Sequence, residues 1–208
     1  MKKISKAFYS GNDVVSVSRS LLGKVLCTQI DGHTTRVVIT ETEAYAGVTD
    51  KASHAYGDRR TKRTEPMFGP AGVAYVYLCY GIHHLFNVVT GKPGIPHAVL
   101  IRAGIPLEGV EEMLIRRRKT KVDKTLLAGP GSLAQALGIT TKLTGTSLTG
   151  SNVWFEDHNL KLTKSQIQAS PRVGVDYAEE DAKRPYRFTI SPNDLAPKSR
   201  LPAQRRKK

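Results

Sequence analysis

Hydrophobic and polar positions along the first quarter of the chain predict one helix followed by one long hairpin. Residues 13–22 (DVVSVSRSLL) place apolar side chains at helical spacing, with Asp13 as the capping residue and Gly23 as the residue that ends the helix. Two strand-like runs, KVLCTQI and TTRVVITETEAY, lie on either side of Asp31-Gly32, a pair typical of a two-residue hairpin turn. We therefore expect a helix that leads into two antiparallel strands.

The middle of the chain predicts a second hairpin, a further strand and two helices. AYVYLCY and HHLFNVVT flank a turn at Gly81-Ile82, and HAVLIRA is placed to pair beside them. LEGVEEMLIRRRK has its acids early and its bases late, as the helix dipole favours, and SLAQALGI predicts a shorter helix. Residues 46–72 predict a loop with one helical turn near 50–54. A loop of that length is uncommon unless it has a function.

The last third of the chain predicts four short strands, VWFED, LKLT, RVGV and YRFTI, and no internal repeat or linker divides the sequence. We therefore expect an α+β fold with a curved, mainly antiparallel sheet, flanking helices and a protruding β-hairpin. Residues 1–196 are predicted to form a single domain. Residues 197–208 are polar and strongly basic, which predicts a disordered tail.

The charge of the chain favours a polyanionic partner. Lys and Arg number 32 against 18 Asp and Glu, which gives a formal charge of +14. Contacts between such cations and phosphates release condensed counterions, so nucleic acid is a natural partner, although a merely basic soluble protein fits as well. No apolar run is long enough to span a bilayer, and no signal-peptide core follows the first lysines. We expect a monomer in the cytoplasm or at the nucleoid, without membrane contact.

Cysteine and histidine positions predict neither a metal nor a cofactor. Cys27 and Cys79 lie in separate strand-like runs, which indicates buried free thiols in a reducing compartment. His83-His84 lacks the spacing of a zinc site. The glycine-containing turns GPAGVAY and AGPGSL fit neither a phosphate-binding loop nor a dinucleotide fingerprint.

Three polar side chains at alternate positions end the first hairpin. Glu41, Glu43 and Tyr45 are predicted to share one strand face, with Val37 and Ile39 before them on that face. Glu43 is a good candidate for the general base that activates water in hydrolysis of an N-glycosidic bond. By pattern alone Glu41, about 7 Å away along the strand, could take that role and leave Glu43 to pair with an arginine. Two solvated acids at a strand end explain the pattern as well.

Two further features are typical of nucleic-acid binding. The loop that follows the acids is basic, with Arg59, Arg60, Lys62 and Arg63. Tyr80 lies near the tip of the second hairpin beside Ile82, where an aromatic side chain is hard to bury. An exposed aromatic or apolar wedge is the usual means of entering a base stack. Tyr77, within the strand, is more often a packing residue than a ligand platform.

The order of these motifs resembles the alkyladenine DNA glycosylase family, the 3-methyladenine DNA glycosylases of the mammalian type. The similarity is most specific over residues 41–103, where ETEAY, His54, MF, YVY, YG, an asparagine and VLIRA follow one another at the family's spacing. Weaker similarity continues in PLEG, the GPG turn, RVGV and RPYRF, so that roughly residues 15–190 are covered. Residues 140–170 carry none of the motifs on which this resemblance rests.

The resemblance implies a monofunctional DNA glycosylase. Such an enzyme flips a damaged purine out of double-stranded DNA and hydrolyses the N-glycosidic bond with a Glu-activated water, which leaves an abasic site and requires no cofactor. The implied substrates are purines of the 3-methyladenine, hypoxanthine and ethenoadenine class. At matching positions, Glu43 is the general base and Arg102 holds the water and the acid.

The remaining family roles also transfer to matching positions. Tyr45, His54 and Tyr77 match the walls that stack on and hydrogen-bond the flipped base. Asn87 matches an asparagine that rejects the 2-amino group of guanine, and Tyr80 matches the residue that fills the hole left in the duplex. Ile82, Arg59 and Arg60 are predicted DNA contacts on the charge and exposure described above.

Two other function classes stay open at the level of the sequence. A non-catalytic nucleic-acid binder, such as a ribosome-associated basic protein, explains the charge and the tyrosines but gives the ETEAY motif no purpose. A metal-dependent nuclease that acts through Glu41 and Glu43 needs a divalent ion and would lose its activity in a chelator.

Overall fold

One nine-stranded, antiparallel sheet organises residues 2–195, which are the residues that the computed structural model describes. In chain order the strands are β1 (Lys2–Lys3), β2 (Val25–Ile30), β3 (His33–Ala46), β4 (Ala74–Cys79), β5 (His83–Thr90), β6 (His97–Glu108), β7 (Val153–Asp157), β8 (Ile167–Ser170) and β9 (Arg187–Ile190). The order across the sheet is β1-β7-β2-β3-β6-β5-β4, and β9 joins it by pairing with both β3 and β8. The predicted α+β fold with a mainly antiparallel sheet is confirmed.

Within the described part of the chain, five short helices flank the sheet, namely α1 (Lys6–Tyr9), α2 (Val14–Leu21), α3 (Val110–Arg116), α4 (Pro130–Ala136) and α5 (Pro192–Leu195). The predicted cap of α2 is present, because the Asp13 carboxylate accepts the backbone N–H groups of Val15 and Ser16 at 3.0 and 3.2 Å. Helix α3 begins later than predicted, since the residues before Gly109 extend β6 and Gly109 itself has a φ of +74°.

The two predicted hairpins are both present. β2 and β3 meet at Asp31-Gly32, where both residues have positive φ as a primed turn requires. In the β4–β5 hairpin the turn is centred on Tyr80-Gly81, one residue earlier than predicted, and the Ile82 N–H donates to the Cys79 carbonyl at 3.1 Å. Tyr80 is 92% exposed, so this hairpin protrudes as expected.

Three predictions of local structure are wrong. Residues 160–163 (LKLT) form no strand, because Leu160 and Leu162 instead pack against the core beside Gly23; the strand of this region is β8. Residues 172–175 (RVGV) are also irregular, because their polar groups bind side chains rather than a neighbouring strand. Residues 51–55 form non-helical turns, which lie between 3-10 turns at Gly47–Thr49 and Tyr56–Asp58.

The sheet separates a large core from a small one. The large core packs α2 and α4 against one face and contains the fully buried Phe86, Phe155 and Phe188. On the other face, the loop between β3 and β4 packs its own residues Ala55, Met67 and Phe68 against Tyr75, Val89 and Ala98 of the strands. The long loop therefore covers the sheet face that carries the polar motifs. The site forms between this loop and the sheet.

Two remaining predictions concern the cysteines and the end of the chain. Cys27 is a buried free thiol, as predicted, whereas Cys79 is only half-buried because it lies where β4 leaves the core. The predicted tail at 197–208 lies outside the described residues, and so does the predicted domain boundary at residue 196, which stays a prediction.

Candidate active site

A single row of side chains crosses four strands on the face beneath the long loop. Glu43 of β3 pairs with Leu100 of β6, Leu100 with Asn87 of β5, and Asn87 with Tyr75 of β4. Residues directly opposite one another in an antiparallel ladder project from the same face. Segments as far apart as ETEAY and YVY are therefore brought side by side by the strand register alone.

An irregularity at Thr40 turns the two acids away from the core. Ile39 and Glu41 pair with successive residues of β6, so Thr40 is an extra residue of β3 and the alternation of faces shifts by one. Ile39 consequently belongs to the large core, while Glu41 projects from the opposite face. The prediction that Val37 and Ile39 share a face with the acids is wrong, because nothing in the sequence indicates this bulge.

Glu43 and the groups that hydrogen-bond it form the floor of the site. Glu43 itself is fully buried and is not among the residues that line the cavity described below, whereas its partners Tyr45, Arg102 and Val173 are. Its Oε2 atom accepts the Tyr45 hydroxyl at 2.8 Å and Nη1 of Arg102 at 3.4 Å. Its Oε1 atom accepts the backbone N–H of Val173 at 2.9 Å. A buried carboxylate needs such partners, and these three leave about one of its four acceptor positions open.

Arg102 stands between the two carboxylates because it is an extra residue of β6. Glu41 and Thr42 pair with the residues on either side of it, which leaves Arg102 as a bulge. Its Nε atom donates to Glu41 at 2.8 Å, and Nε of Arg187 donates to the same oxygen at 2.6 Å. Burial opposes the charge of Arg102, but Glu43 and Glu41 outweigh it and raise the pKa of the guanidinium above its ordinary value.

A cavity of about 180 Å³ opens above this floor. It is in the size range that holds an aromatic ring system, since a cavity of roughly 150 Å³ holds benzene. Six of the predicted site residues line it, namely Tyr45, His54, Tyr77, Tyr80, Asn87 and Arg102. Burial, followed by the charge and hydrogen bond of Glu43, raises the pKa of Tyr45 well above its ordinary value, so its hydroxyl remains a donor.

His54 forms one wall of the cavity as a neutral imidazole. Arg63 donates to its Nε2 at 3.3 Å, so Nδ1 carries the proton and donates to the Tyr75 hydroxyl at 2.8 Å. Its ring meets that of Tyr77 edge to face, with 4.6 Å between the centroids. Burial, with the charges of Arg63 and Arg59, lowers the pKa of His54 to about 4. The wall is therefore uncharged at neutral pH.

Asn87 is buried and held in one orientation at the back of the cavity. Its Nδ2 donates to the backbone carbonyls of Tyr75 at 3.1 Å and Leu85 at 3.3 Å. Both amide hydrogens are used within the sheet. Asn87 can therefore offer an occupant of the cavity only its side-chain oxygen.

The predicted DNA contacts lie at the rim and outside the cavity. Tyr80 and Ile82 are 92% and 71% exposed at the tip of the β4–β5 hairpin. Arg59 and Arg60 are exposed on the basic loop, where the guanidinium of Arg60 lies 4.1 Å from the Phe68 ring centroid. Arg59 lines a second cavity, of about 350 Å³, together with Lys51, Arg63 and Tyr177.

Several residues of the site had no recognisable signal in the sequence. The Val173 N–H is a backbone group, and its segment is irregular rather than the predicted strand. Arg172 and Asp50, which are buried behind the cavity, pair across 122 positions of sequence. Tyr75, which also lines the cavity, could have been identified from the sequence, because it shares a strand face with Tyr77.

The described residues contain no group of three or more His, Cys, Asp or Glu that could hold a metal ion. Glu41 and Glu43, the pair considered for a nuclease, have the Arg102 guanidinium between them, and a second cation at that position would be repelled. Over residues 2–195, no helix combines the length and the apolarity needed to cross a membrane.

Comparison with known proteins agrees with the geometry. Residues 7–194 match the methylpurine-DNA glycosylase family. A Bacillus cereus protein is 47% identical over 191 residues, which cover 88% of this chain and 92% of that protein. A Chlamydia felis protein is 45% identical over 189 residues, 90% and 96% of the two chains. A Bacillus cytotoxicus protein is 45% identical over 204 residues, 94% and 100%. Each carries the name "Putative 3-methyladenine DNA glycosylase".

Proposed function

The chain belongs to the methylpurine-DNA glycosylase family, and from that premise we propose that it flips damaged purines out of double-stranded DNA and hydrolyses their N-glycosidic bonds. The observation that carries the proposal is Glu43, a buried carboxylate whose three hydrogen-bond partners, Tyr45, Arg102 and Val173, all line an aromatic cavity of about 180 Å³. Water bound to Glu43 would attack C1′ of the deoxyribose while the base leaves.

Glu43 suits the general base better than Glu41 does. Two arginines, Arg102 and Arg187, donate to the same oxygen of Glu41, so this carboxylate is engaged in two ion pairs. Glu43 shares only Arg102, and an acceptor position on its carboxylate remains for water. In this assignment Arg102 orients both the carboxylate and the attacking water, and Glu41 holds Arg102 in place.

The cavity walls suit an alkylated purine. Tyr45 and Tyr77 offer electron-rich rings for stacking, and a base made cationic by alkylation is attracted to such rings. A neutral His54 adds a polar group without repelling that charge. Asn87, fixed by two hydrogen bonds, cannot move aside for the 2-amino group of guanine. We propose 3-methyladenine, hypoxanthine and ethenoadenine as the substrate class.

Extrusion of the nucleotide is assigned to the hairpin tip and the basic loop. Unstacking a base costs a few kcal/mol, and a side chain that fills the vacated space offsets part of this cost. Tyr80, with Ile82 beside it, is the exposed wedge on the rim of the cavity. Arg59 and Arg60, which are exposed on the basic loop, would contact phosphates.

The product should be an abasic site without strand cleavage. No lysine is among the described residues that line the cavity, so water rather than an amine attacks, and no Schiff base can form to cut the strand. We also propose that the protein acts as a monomer on chromosomal DNA at the nucleoid, with residues 1–196 as the glycosylase domain.

An excision assay in excess chelator tests the proposal. A labelled duplex with one hypoxanthine or ethenoadenine, and separately methylated DNA as a source of 3-methyladenine, is incubated with the protein and then treated with hot alkali. We expect strand cleavage only after alkali, and release of free 3-methyladenine from methylated DNA. The Glu43→Gln variant should release base about 1,000-fold more slowly than the wild type. Glu108→Gln, which alters an exposed acid at the far end of β6, should act like the wild type.

Three outcomes would contradict the proposal. Cleavage without alkali would indicate a lyase, and activity that requires a divalent ion would indicate a nuclease. Equal binding to damaged and undamaged DNA, without base release from any of the three substrates, would identify a non-catalytic nucleic-acid binder.

A further inference from the structure

Arg172 and Asp50 form a buried ion pair directly behind the cavity, and none of the roles assigned above involves it. Both side chains are fully buried. The pair is bidentate, since Nη2 of Arg172 donates to Oδ1 of Asp50 at 2.8 Å and Nη1 donates to Oδ2. A buried ion pair is weak evidence for stability, because its desolvation cost is comparable to its attraction. Its other contacts indicate a different purpose.

Asp50 ties the end of β3 to the loop that covers the site. Its Oδ2 accepts the backbone N–H of Ala46 at 2.9 Å, and its Oδ1 accepts that of Ala52 at 3.1 Å. Burial opposes its negative charge, but Arg172 and these backbone donors outweigh burial and hold the pKa of Asp50 below its ordinary value. The charged carboxylate thus fixes the backbone at Ala46 and at Ala52, near the two ends of the segment that connects Tyr45 to His54.

Arg172 is linked to two of the groups that hydrogen-bond Glu43: it contacts the Tyr45 ring, and it precedes Val173 in the chain. Its guanidinium lies 4.8 Å from the centroid of the Tyr45 ring, whose hydroxyl donates to Glu43. It also donates to the carbonyl of Ala44, the residue between Glu43 and Tyr45, at 2.9 Å. The next residue along the chain is Val173, whose N–H donates to the other oxygen of Glu43. One side chain therefore fixes two of the three donors to the general base.

We propose that Arg172 and Asp50 form a buried clamp that positions Tyr45 and the Val173 N–H on the Glu43 carboxylate, and thereby sets the geometry of water attack. The inference rests on the proposed function, since it needs Glu43 to be the general base. Arg172 is a positioning residue, because it reaches the nucleotide only through Tyr45 and the backbone of Val173.

The test is a double-mutant cycle between Arg172→Lys and Glu43→Gln, with single-turnover excision of hypoxanthine and the Kd for the same duplex as readouts. Lysine keeps the charge but cannot make the bidentate contact. We expect Arg172→Lys to lower the excision rate about 100-fold, because a misplacement of about 1 Å costs this much. The Kd should stay close to the wild-type value. In the Glu43→Gln background, Arg172→Lys should cause no further loss of residual rate.

Arg116→Lys is the matched control. Arg116 also pairs with a carboxylate, that of Glu112, and donates to backbone carbonyls, but it lies on α3 among residues that do not line the cavity. This variant should excise at the wild-type rate. Asp50→Asn serves as the second clamp variant if Arg172→Lys does not fold, and it should show the same pattern of rate and Kd.

Each outcome decides the proposal. A wild-type rate in a folded Arg172→Lys variant overturns it, and so does a loss that multiplies with that of Glu43→Gln. If neither Arg172→Lys nor Asp50→Asn folds, the ion pair serves stability alone, and the proposal is overturned as well. Absence of excision by the wild-type protein, or full excision by Glu43→Gln, is the separate failure of the proposed function.

Discussion

The cavity floor and the hairpin tip are built in opposite ways, although both belong to one site. Glu43 on the floor is fully buried and accepts three hydrogen bonds, one of them from Val173, which is 130 positions away in the sequence. Tyr80 at the tip is 92% exposed and is positioned by a turn of its own hairpin. The floor depends on the whole fold, and the tip depends on a few neighbouring residues.

This difference fits the two tasks that the proposed function requires. A general base needs fixed geometry and exclusion of bulk water, which only distant parts of the chain can provide together. A wedge must be free to leave water and enter a base stack, so it is best carried by a protruding turn. Substitutions of Glu43 at the floor should therefore change the rate of the chemical step. Substitutions of Tyr80 at the tip should change DNA binding and extrusion of the nucleotide.

The largest expected effect is at the floor. Glu43→Gln removes the proposed general base but keeps the size of the side chain, so the single-turnover rate should fall about 1,000-fold. Binding to damaged duplex should be retained, because the proposed function assigns binding to the tip, the walls and the basic loop. Rapid-quench excision and fluorescence anisotropy measure the two quantities. Equal loss of rate and affinity would show that floor and tip are not separable.

Truncation at the tip should give the next largest effect. Tyr80→Ala removes an aromatic contact worth about 1–3 kcal/mol, so affinity for damaged duplex should fall about 5- to 150-fold. The melting temperature should not fall, since the side chain packs on nothing that its loss would expose. Ile115→Ala is the control, because Ile115 is 70% exposed on α3. Unchanged binding by Tyr80→Ala would leave the tip without its assigned role.

His54 provides a pH test of the wall above the floor. Its pKa of about 4 lies below its unfolded value of about 6.5, so the folded state favours the neutral form. The unfolded chain takes up the proton first as the pH falls, and stability is lost between about pH 6.5 and 4. His54→Gln should reduce the loss of unfolding free energy between pH 7 and 5 by about 2 kcal/mol. Urea unfolding at both pH values checks this, and parallel curves for the two proteins would contradict it.

The basic loop should give the smallest effect. Arg59→Ala and Arg60→Ala should each weaken DNA binding by a similar factor for damaged and undamaged duplexes. Each should also reduce the slope of log Kd against log salt concentration by about 1. Lys161→Ala, an exposed lysine outside the loop, should leave the slope unchanged. An effect confined to damaged duplex would assign the arginines to the lesion instead of the backbone.

Sequence reasoning reached local features more readily than distant ones. The Asp13 cap, the Asp31-Gly32 turn and the β4–β5 hairpin follow from neighbouring residues, and all three are present. The predicted site residues that line the cavity were identified through a family resemblance. The strand register explains why they meet, because it aligns segments that are far apart in the chain.

Features that the sequence did not reveal depend on contacts between distant segments. The face reversal at Thr40 and the extra residue Arg102 arise from the register of β3 against β6, which alternation of residue types does not encode. LKLT and RVGV have strand-like composition, yet packing on Gly23 in one case and contacts around Glu43 in the other keep both irregular. Local propensity is overridden where tertiary contacts satisfy the backbone.

The bulge at Arg102 has a consequence for protein engineering. Regular strands with matched lengths are the usual route to highly stable sheets. Deleting residue 102 would remove the register shift between Glu41 and Thr42, but it would also remove the guanidinium that lies between Glu41 and Glu43. A redesign that scores only backbone regularity would therefore favour a more regular sheet that lacks a residue of the site. Any redesign of this sheet has to keep the bulge at Arg102 as a fixed constraint.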